Sequence, residues 1–153
     1  MNWYAARVSE GRKYVNEYLA AQGVRCYSTA VVPSILFIRC SPEQRQAIGD
    51  EFRSRMFFYR NPDRTEAAVI PDAEMASFII VTSGSADTVE LNITDREFLQ
   101  GERVRVTAGP FEGAEGIVKR IKGDRRLVVE VRGVAVVATS FIHPALLEKV
   151  ADK

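Results

Sequence analysis

Apolar and polar positions change rhythm along this chain. Over Asn2 to Val8 they alternate, with Trp3, Ala5 and Arg7 on one side and Tyr4, Ala6 and Val8 on the other, as a strand requires. Ser9 is placed to cap a helix over about Glu10 to Gln22, whose Tyr14, Val15, Tyr18 and Leu19 fall on one stripe; Gly23 ends it. Val24–Tyr27 is a short second strand. Ser34–Cys40 is a third, with Ile35, Leu36, Phe37 and Ile38 apolar in succession, so that both of its faces want cover. Ser41-Pro42-Glu43-Gln44 opens a short second helix with a capping serine, an N1 proline and a glutamine placed to close a capping box. Met56–Arg60 reads as an aromatic-rich fourth strand, Asn61-Pro62-Asp63 as a turn, and Pro71-Asp72 as the start of a third helix bearing Met75, Phe78, Ile79 and Thr82.

The order strand, helix, strand, strand, helix, strand fits a split β-α-β, ferredoxin-like antiparallel sheet, with helices on one face and the other face open. An open apolar sheet face is a candidate docking surface. Ser83-Gly84-Ser85-Ala86-Asp87 has linker composition, and Val89, Leu91 and Ile93 alternate only weakly. From about Phe98 the rhythm is short strands broken by glycine. Arg103–Thr107 alternates, Gly109-Pro110-Phe111-Glu112-Gly113-Ala114-Glu115-Gly116 bends sharply, and Ile117–Ile121 and Leu127–Val131 are strands. Arg132-Gly133 is a tight turn before Val134–Thr139, and Ala145–Val150 closes the unit. Short, strongly twisted strands of this kind suit a small closed barrel. The expected fold is therefore α+β. A ferredoxin-like domain spans 1–82, a linker 83–97 and a barrel 98–153.

Composition narrows the function. The 153 residues are 46% hydrophobic and 27% charged, and no apolar run reaches the roughly 18–20 residues of a membrane span. The start, Asn2-Trp3-Tyr4, has no basic-then-apolar leader, so a cytoplasmic protein is expected. Cys26 and Cys40 form no disulfide framework or zinc pattern, and read as reduced core thiols. His143 is the only histidine and precedes a proline. No nucleophile–base pair, metal-ligand cluster or phosphate-binding glycine loop is present, so neither enzyme, metal nor cofactor is expected. Lys plus Arg number ten against nine acids in 1–82, one against four in 83–97, and ten against seven in 98–153. No segment is a strong polyanion magnet, which favours a protein partner with nucleic acid as a secondary contact.

Gly101-Glu102-Arg103-Val104-Arg105-Val106, followed by Gly109, Pro110, Phe111, Gly113, Gly116 and Val118, resembles a KOW motif, found in SH3-like barrels of transcription elongation factors and ribosomal proteins. Trp3-Tyr4, the helix ending at Gly23, Pro33-Ser34-Ile35-Leu36-Phe37-Ile38 and Ile70-Pro71-Asp72 resemble the N-terminal domain of NusG-type factors. The nearest type is the specialised paralogues, such as UpxY-type antiterminators of long polysaccharide operons.

The resemblance implies a monomeric elongation and antitermination factor that binds the clamp helices of RNA polymerase through the sheet. Carried over by position, the polymerase patch comprises Ala5, Arg7, Val32, Ile35, Phe37 and Phe58, with Ile35 and Phe37 bare to solvent. Arg12, Lys13 and Arg53 match positions that contact non-template DNA in operon-specific relatives. Two departures stand out. Only Ser28–Val32 separates the second and third strands, where the family has a longer basic segment. In the barrel, Val131-Arg132-Gly133-Val134 replaces the aromatic-bearing stretch that meets Rho or a ribosomal protein, which weakens both contacts. The valine-rich strands predict a barrel that stays a barrel. The alternative is an RNA-binding or ribosome-associated KOW protein that does not bind polymerase, resting on Lys119, Arg120, Lys122, Arg125 and Arg126.

Overall fold

The computed structural model describes residues 1–83, 87–93 and 100–151. The chain divides into two compact units, Met1–Asp72 and Ala73–Lys153. The expected linker falls partly outside the described residues (84–86 and 94–97), as do Phe98 and Leu99.

In the first unit, β1 (Asn2–Val8), β2 (Arg25–Tyr27), β3 (Ile35–Cys40) and β4 (Met56–Phe58) form an antiparallel sheet in the order β2-β3-β1-β4. Together with α1 (Arg12–Ala21) and α2 (Pro42–Glu51) this is the split β-α-β arrangement expected. Alternation divides the sheet's side chains cleanly. Tyr4, Ala6 and Val8 of β1, Leu36 and Ile38 of β3, and Met56 and Phe58 of β4 share one buried cluster with Val15 and Leu19 of α1 and Ile48 and Phe52 beside α2. Trp3, Ala5, Arg7, Ile35, Phe37 and Phe57 therefore lie on the opposite face. The helices hold together through Tyr18, whose hydroxyl donates to Glu51 at 2.5 Å and whose ring meets Phe52 edge-on.

The capping box of α2 forms in full. The Ser41 hydroxyl accepts from the Gln44 N–H, and Gln44 Oε1 accepts from the Ser41 N–H. The start of α1 differs from expectation. Its cap is Gly11, at φ 74, with no side-chain hydrogen bond. Ser9 is not a cap, because its hydroxyl donates instead to the Arg55 carbonyl, 2.8 Å away. That bond and the Ser9 N–H on the same carbonyl tie the end of β1 to the entry of β4.

The second unit opens with α3 (Asp72–Thr82), which begins at the boundary between the units. Its contacts group it with the strands that follow rather than with the domain expected to end at 82. Ser77 Oγ accepts from the Glu115 N–H at 3.0 Å, and Glu74 accepts from the Arg132 N–H at 3.1 Å. The strands β5 (Val89–Leu91), β6 (Glu102–Val106), β7 (Glu115–Ile121), β8 (Asp124–Val131), β9 (Ala135–Phe141) and β10 (Leu147–Lys149) form a barrel-like antiparallel sheet in the order β10-β6-β7-β8-β9-β5. β5 comes from the stretch expected to be linker, and pairs with the edge of β9. Val104, Val106, Leu127, Val129, Val131, Val137 and Thr139 are buried. Thr139 is a polar member that stays satisfied, since its Oγ1 accepts from the Leu127 N–H where β8 and β9 slip register.

Candidate protein and nucleic-acid interfaces

The sheet face turned away from α1 and α2 is built row by row. Ile35 pairs with Arg7, and Arg7 with Phe57, giving an Ile–Arg–Phe row across three strands. The next row carries Tyr27, Phe37 and Ala5. The row beyond it carries Arg25, Arg39 and Trp3, with the Arg25 guanidinium 5.3 Å from the Trp3 ring centre.

Of the six residues expected to meet polymerase, five share this face or lie beside it, but their exposure differs from expectation. Ile35 is 3% exposed and Phe37 0%, and Ala5 and Val32 are buried as well. A strand apolar at four successive positions follows the simple rule that both faces want cover, not the bare panel implied by family resemblance. Arg7 alone of this set is exposed.

Phe58 belongs to the other face. It pairs with Ala6, stands edge-on to Tyr4 with ring centres 6.1 Å apart, and is 8% exposed within the helix-packed core. Its neighbour Phe57 is the aromatic on the Arg7 side, and it is 61% exposed. A one-residue error in the register of a strand exchanges its faces, and two adjacent phenylalanines give no pattern to prevent that error. Tyr59 adds a second ring 6.3 Å from Phe57.

The three residues expected to contact DNA separate in role. Arg12 is committed within the fold. Its Nη1 donates to the carbonyls of Thr29, Val32 and Ile35 at 3.0, 2.9 and 3.1 Å. Burial lowers its pKa from the ordinary arginine value, and it remains a cation. The carbonyls of Thr29 and Val32 in the β2–β3 connection and of Ile35 at the start of β3 thus converge on one guanidinium, which fixes that short loop. Lys13 is exposed, and Arg53 is exposed with a distant ion pair to Asp50 at 3.7 Å. Sequence reasoning missed Arg55, whose guanidinium lies 5.3 Å from the centre of the exposed Tyr14 ring. Arginine and tyrosine forty-one positions apart leave no sequence signal for such a contact.

In the second unit the glycine-rich bend does what its composition predicts. Gly109 and Gly113 take φ of 89 and 91, and Phe111 is buried beneath the bend. Pro110 is exposed between them. Gly116 is needed for space. A Cβ there would lie 2.3 Å from the Val128 carbonyl oxygen on the neighbouring strand. Along the β7–β8 hairpin, Lys119 faces Arg126 and Arg120 faces Arg125. Among the described residues no three His, Cys, Asp or Glu side chains are grouped to hold a metal ion, and no helix is long and apolar enough to cross a membrane.

Residues 100–131 match the family model of the KOW motif. Among solved structures, NusG of Thermotoga maritima, in a study of its domain interaction, aligns over 98% of this chain and 97% of its own at 18% identity and a TM-score of 0.51. The MjSpt4:Spt5 complex in conformation B aligns over 98% and 97% at 12% identity and a TM-score of 0.42, too distant to build on. No curated protein sequence matches the chain. The chain therefore carries a KOW motif in its second unit and, along nearly its whole length, shows the α+β fold of NusG.

Proposed function

We propose that this protein is a transcription elongation factor that docks on the clamp helices of RNA polymerase through the first unit's sheet face. The observation that carries the reading is the Arg7–Phe57 pair, an exposed aromatic beside an exposed arginine on the face turned away from the helices. Large aromatics and arginine are the side chains from which interface hot spots are most often made. Phe57 takes the place of Phe58 beside Arg7 in the patch first expected, with Ile35 and Phe37 as their buried neighbours on the same face. The KOW motif and the NusG fold support the same reading. The operon-specific, antiterminating form of this function rests on the Val131–Val134 turn, which offers no aromatic for Rho or a ribosomal protein.

Co-purification with RNA polymerase tests the proposal. Wild-type protein should be retained, and Phe57→Asp combined with Arg7→Glu should not. Equal recovery of both proteins would remove this face from the mechanism.

A further inference from the structure

The third row of the first unit's sheet face sets two arginines side by side. Arg25 on β2 pairs directly with Arg39 on β3, and Arg39 pairs with Trp3 on β1. Like charges directly opposite one another weaken a strand pair. The Arg25 side chain does not turn away from its neighbour. It reaches across β3 to Trp3, two strands off, where its guanidinium carbon lies 5.3 Å from the ring centre. Trp3 is buried, so the ring fixes the charged head above it.

Neither charge is answered inside the fold. Among the described residues no acid lies within ion-pair distance of Arg25 or Arg39. Arg39 is half-buried, and its Nε is shut from solvent with no acceptor. Arg103 and Arg126 also leave a buried Nε unmet, but each holds an acid through Nη2, Glu115 at 3.9 Å and Asp124 at 3.7 Å. Arg39 stands apart from them in having none. Its buried stem fixes where its charged head emerges, as Trp3 does for Arg25. Two cationic heads are thus held ready on one row, and ordering them costs an incoming anion little.

We propose that Arg25 and Arg39 form the binding point for one carboxylate, a glutamate or aspartate side chain of the protein docked on this sheet face. The inference rests on the docking reading above and adds to it the charge its partner must present. Guanidinium groups meet a carboxylate through two parallel N–H bonds, so a pair of them fixes the acid's orientation as well as its charge. The next row of the sheet, Tyr27, Phe37 and Ala5, carries no cation. A nucleic-acid backbone needs a track of basic groups, whereas two cations beside an apolar row suit a single acid on a protein surface.

Binding of the full chain to core RNA polymerase free of nucleic acid, measured against salt, tests the pair. Wild type should bind, with an affinity that falls as salt rises. Arg25→Gln with Arg39→Gln should bind roughly thirtyfold more weakly, as loss of a charged hot spot does, and with a flatter salt dependence. Arg39→Lys keeps the charge without the planar fork and should fall between the two. If the glutamine pair melts early in urea, Arg39→Lys decides alone, and wild-type affinity in that variant overturns the site. A wild type that does not bind would remove the docking reading itself. The carboxylate site alone is overturned if wild type binds, Phe57→Asp with Arg7→Glu does not, and the glutamine pair binds as wild type does. A single-stranded oligonucleotide held by wild type and released by the glutamine pair would also overturn it, since the anion would then be a phosphate.

Discussion

Phe57 and Phe58 are consecutive residues of β4 that face opposite ways: Phe57 stands outward across from Arg7, and Phe58 inward against Tyr4. Truncating them should therefore have unequal consequences. Phe58→Ala removes a ring from the core beneath α2 and should cost roughly 3–5 kcal/mol. Phe57→Ala removes an exposed ring and should change stability by no more than about 0.5 kcal/mol. Urea midpoints of the two variants measure the difference directly.

The same pair marks where sequence reading succeeds and stops. Elements carried by local chemistry were legible. The Ser41–Gln44 box, the alternation of β1 and the glycine bend at 109–116 each need particular residues at particular offsets, and each formed as read. What depended on tertiary choice was not. Nothing in Phe57-Phe58 says which ring enters the core, and nothing in Arg12 says that its charge will be spent on carbonyls seventeen to twenty-three residues away. Ser9 looked like a cap because caps are local, but a bond to Arg55, forty-six residues on, took its hydroxyl. Burial of Ile35 and Phe37 follows from the doubly apolar Ile35–Ile38 run, which calls for cover on both faces of β3.

Arg12 gives a second test. Its Nη1 is shared by the carbonyls of Thr29, Val32 and Ile35. A hydrogen bond to a charged group contributes about 1.5–3 kcal/mol, and the Thr29 and Val32 carbonyls keep backbone N–H partners when this donor is lost. Arg12→Ala should lower unfolding stability by about that amount, whereas Lys13→Ala should leave it within about 0.5 kcal/mol. Chemical denaturation of the two neighbours separates a structural arginine from a surface lysine.

Two glycines make opposite predictions for the same substitution. At Gly116 an added methyl would meet the Val128 carbonyl oxygen at 2.3 Å, and a backbone atom paired between strands cannot step aside. Gly116→Ala should destabilise by roughly 3 kcal/mol, the upper end for overpacking. Gly49 lies within α2, and its Cβ would sit 3.6 Å from the Phe58 ring, an ordinary contact. Gly49→Ala should stabilise by about 0.5–1 kcal/mol through helix propensity and a less flexible unfolded chain. Thermal melts of the two variants should move in opposite directions from wild type.

The cysteines predict an alkaline limit. Burial pushes both the Cys26 and Cys40 thiols up to about 11, and the neighbouring Cys40 adds to the shift at Cys26. Both are free, and Cys40 is fully buried. The folded state therefore favours the neutral thiol more than the unfolded chain does, where the ordinary value is 9.0. The unfolded state sheds its protons first as pH rises, so stability is intact below about 9 and declines toward about 11. Below that window the same shift suppresses thiolate, the reactive form. At pH 8 a disulfide reagent should thus modify native protein far more slowly than protein in urea. Across pH 9 to 11 the urea midpoint of wild type should fall more steeply than that of a Cys26→Ala, Cys40→Ala variant. Matching slopes in the two proteins would mean that these thiols do not set the alkaline limit.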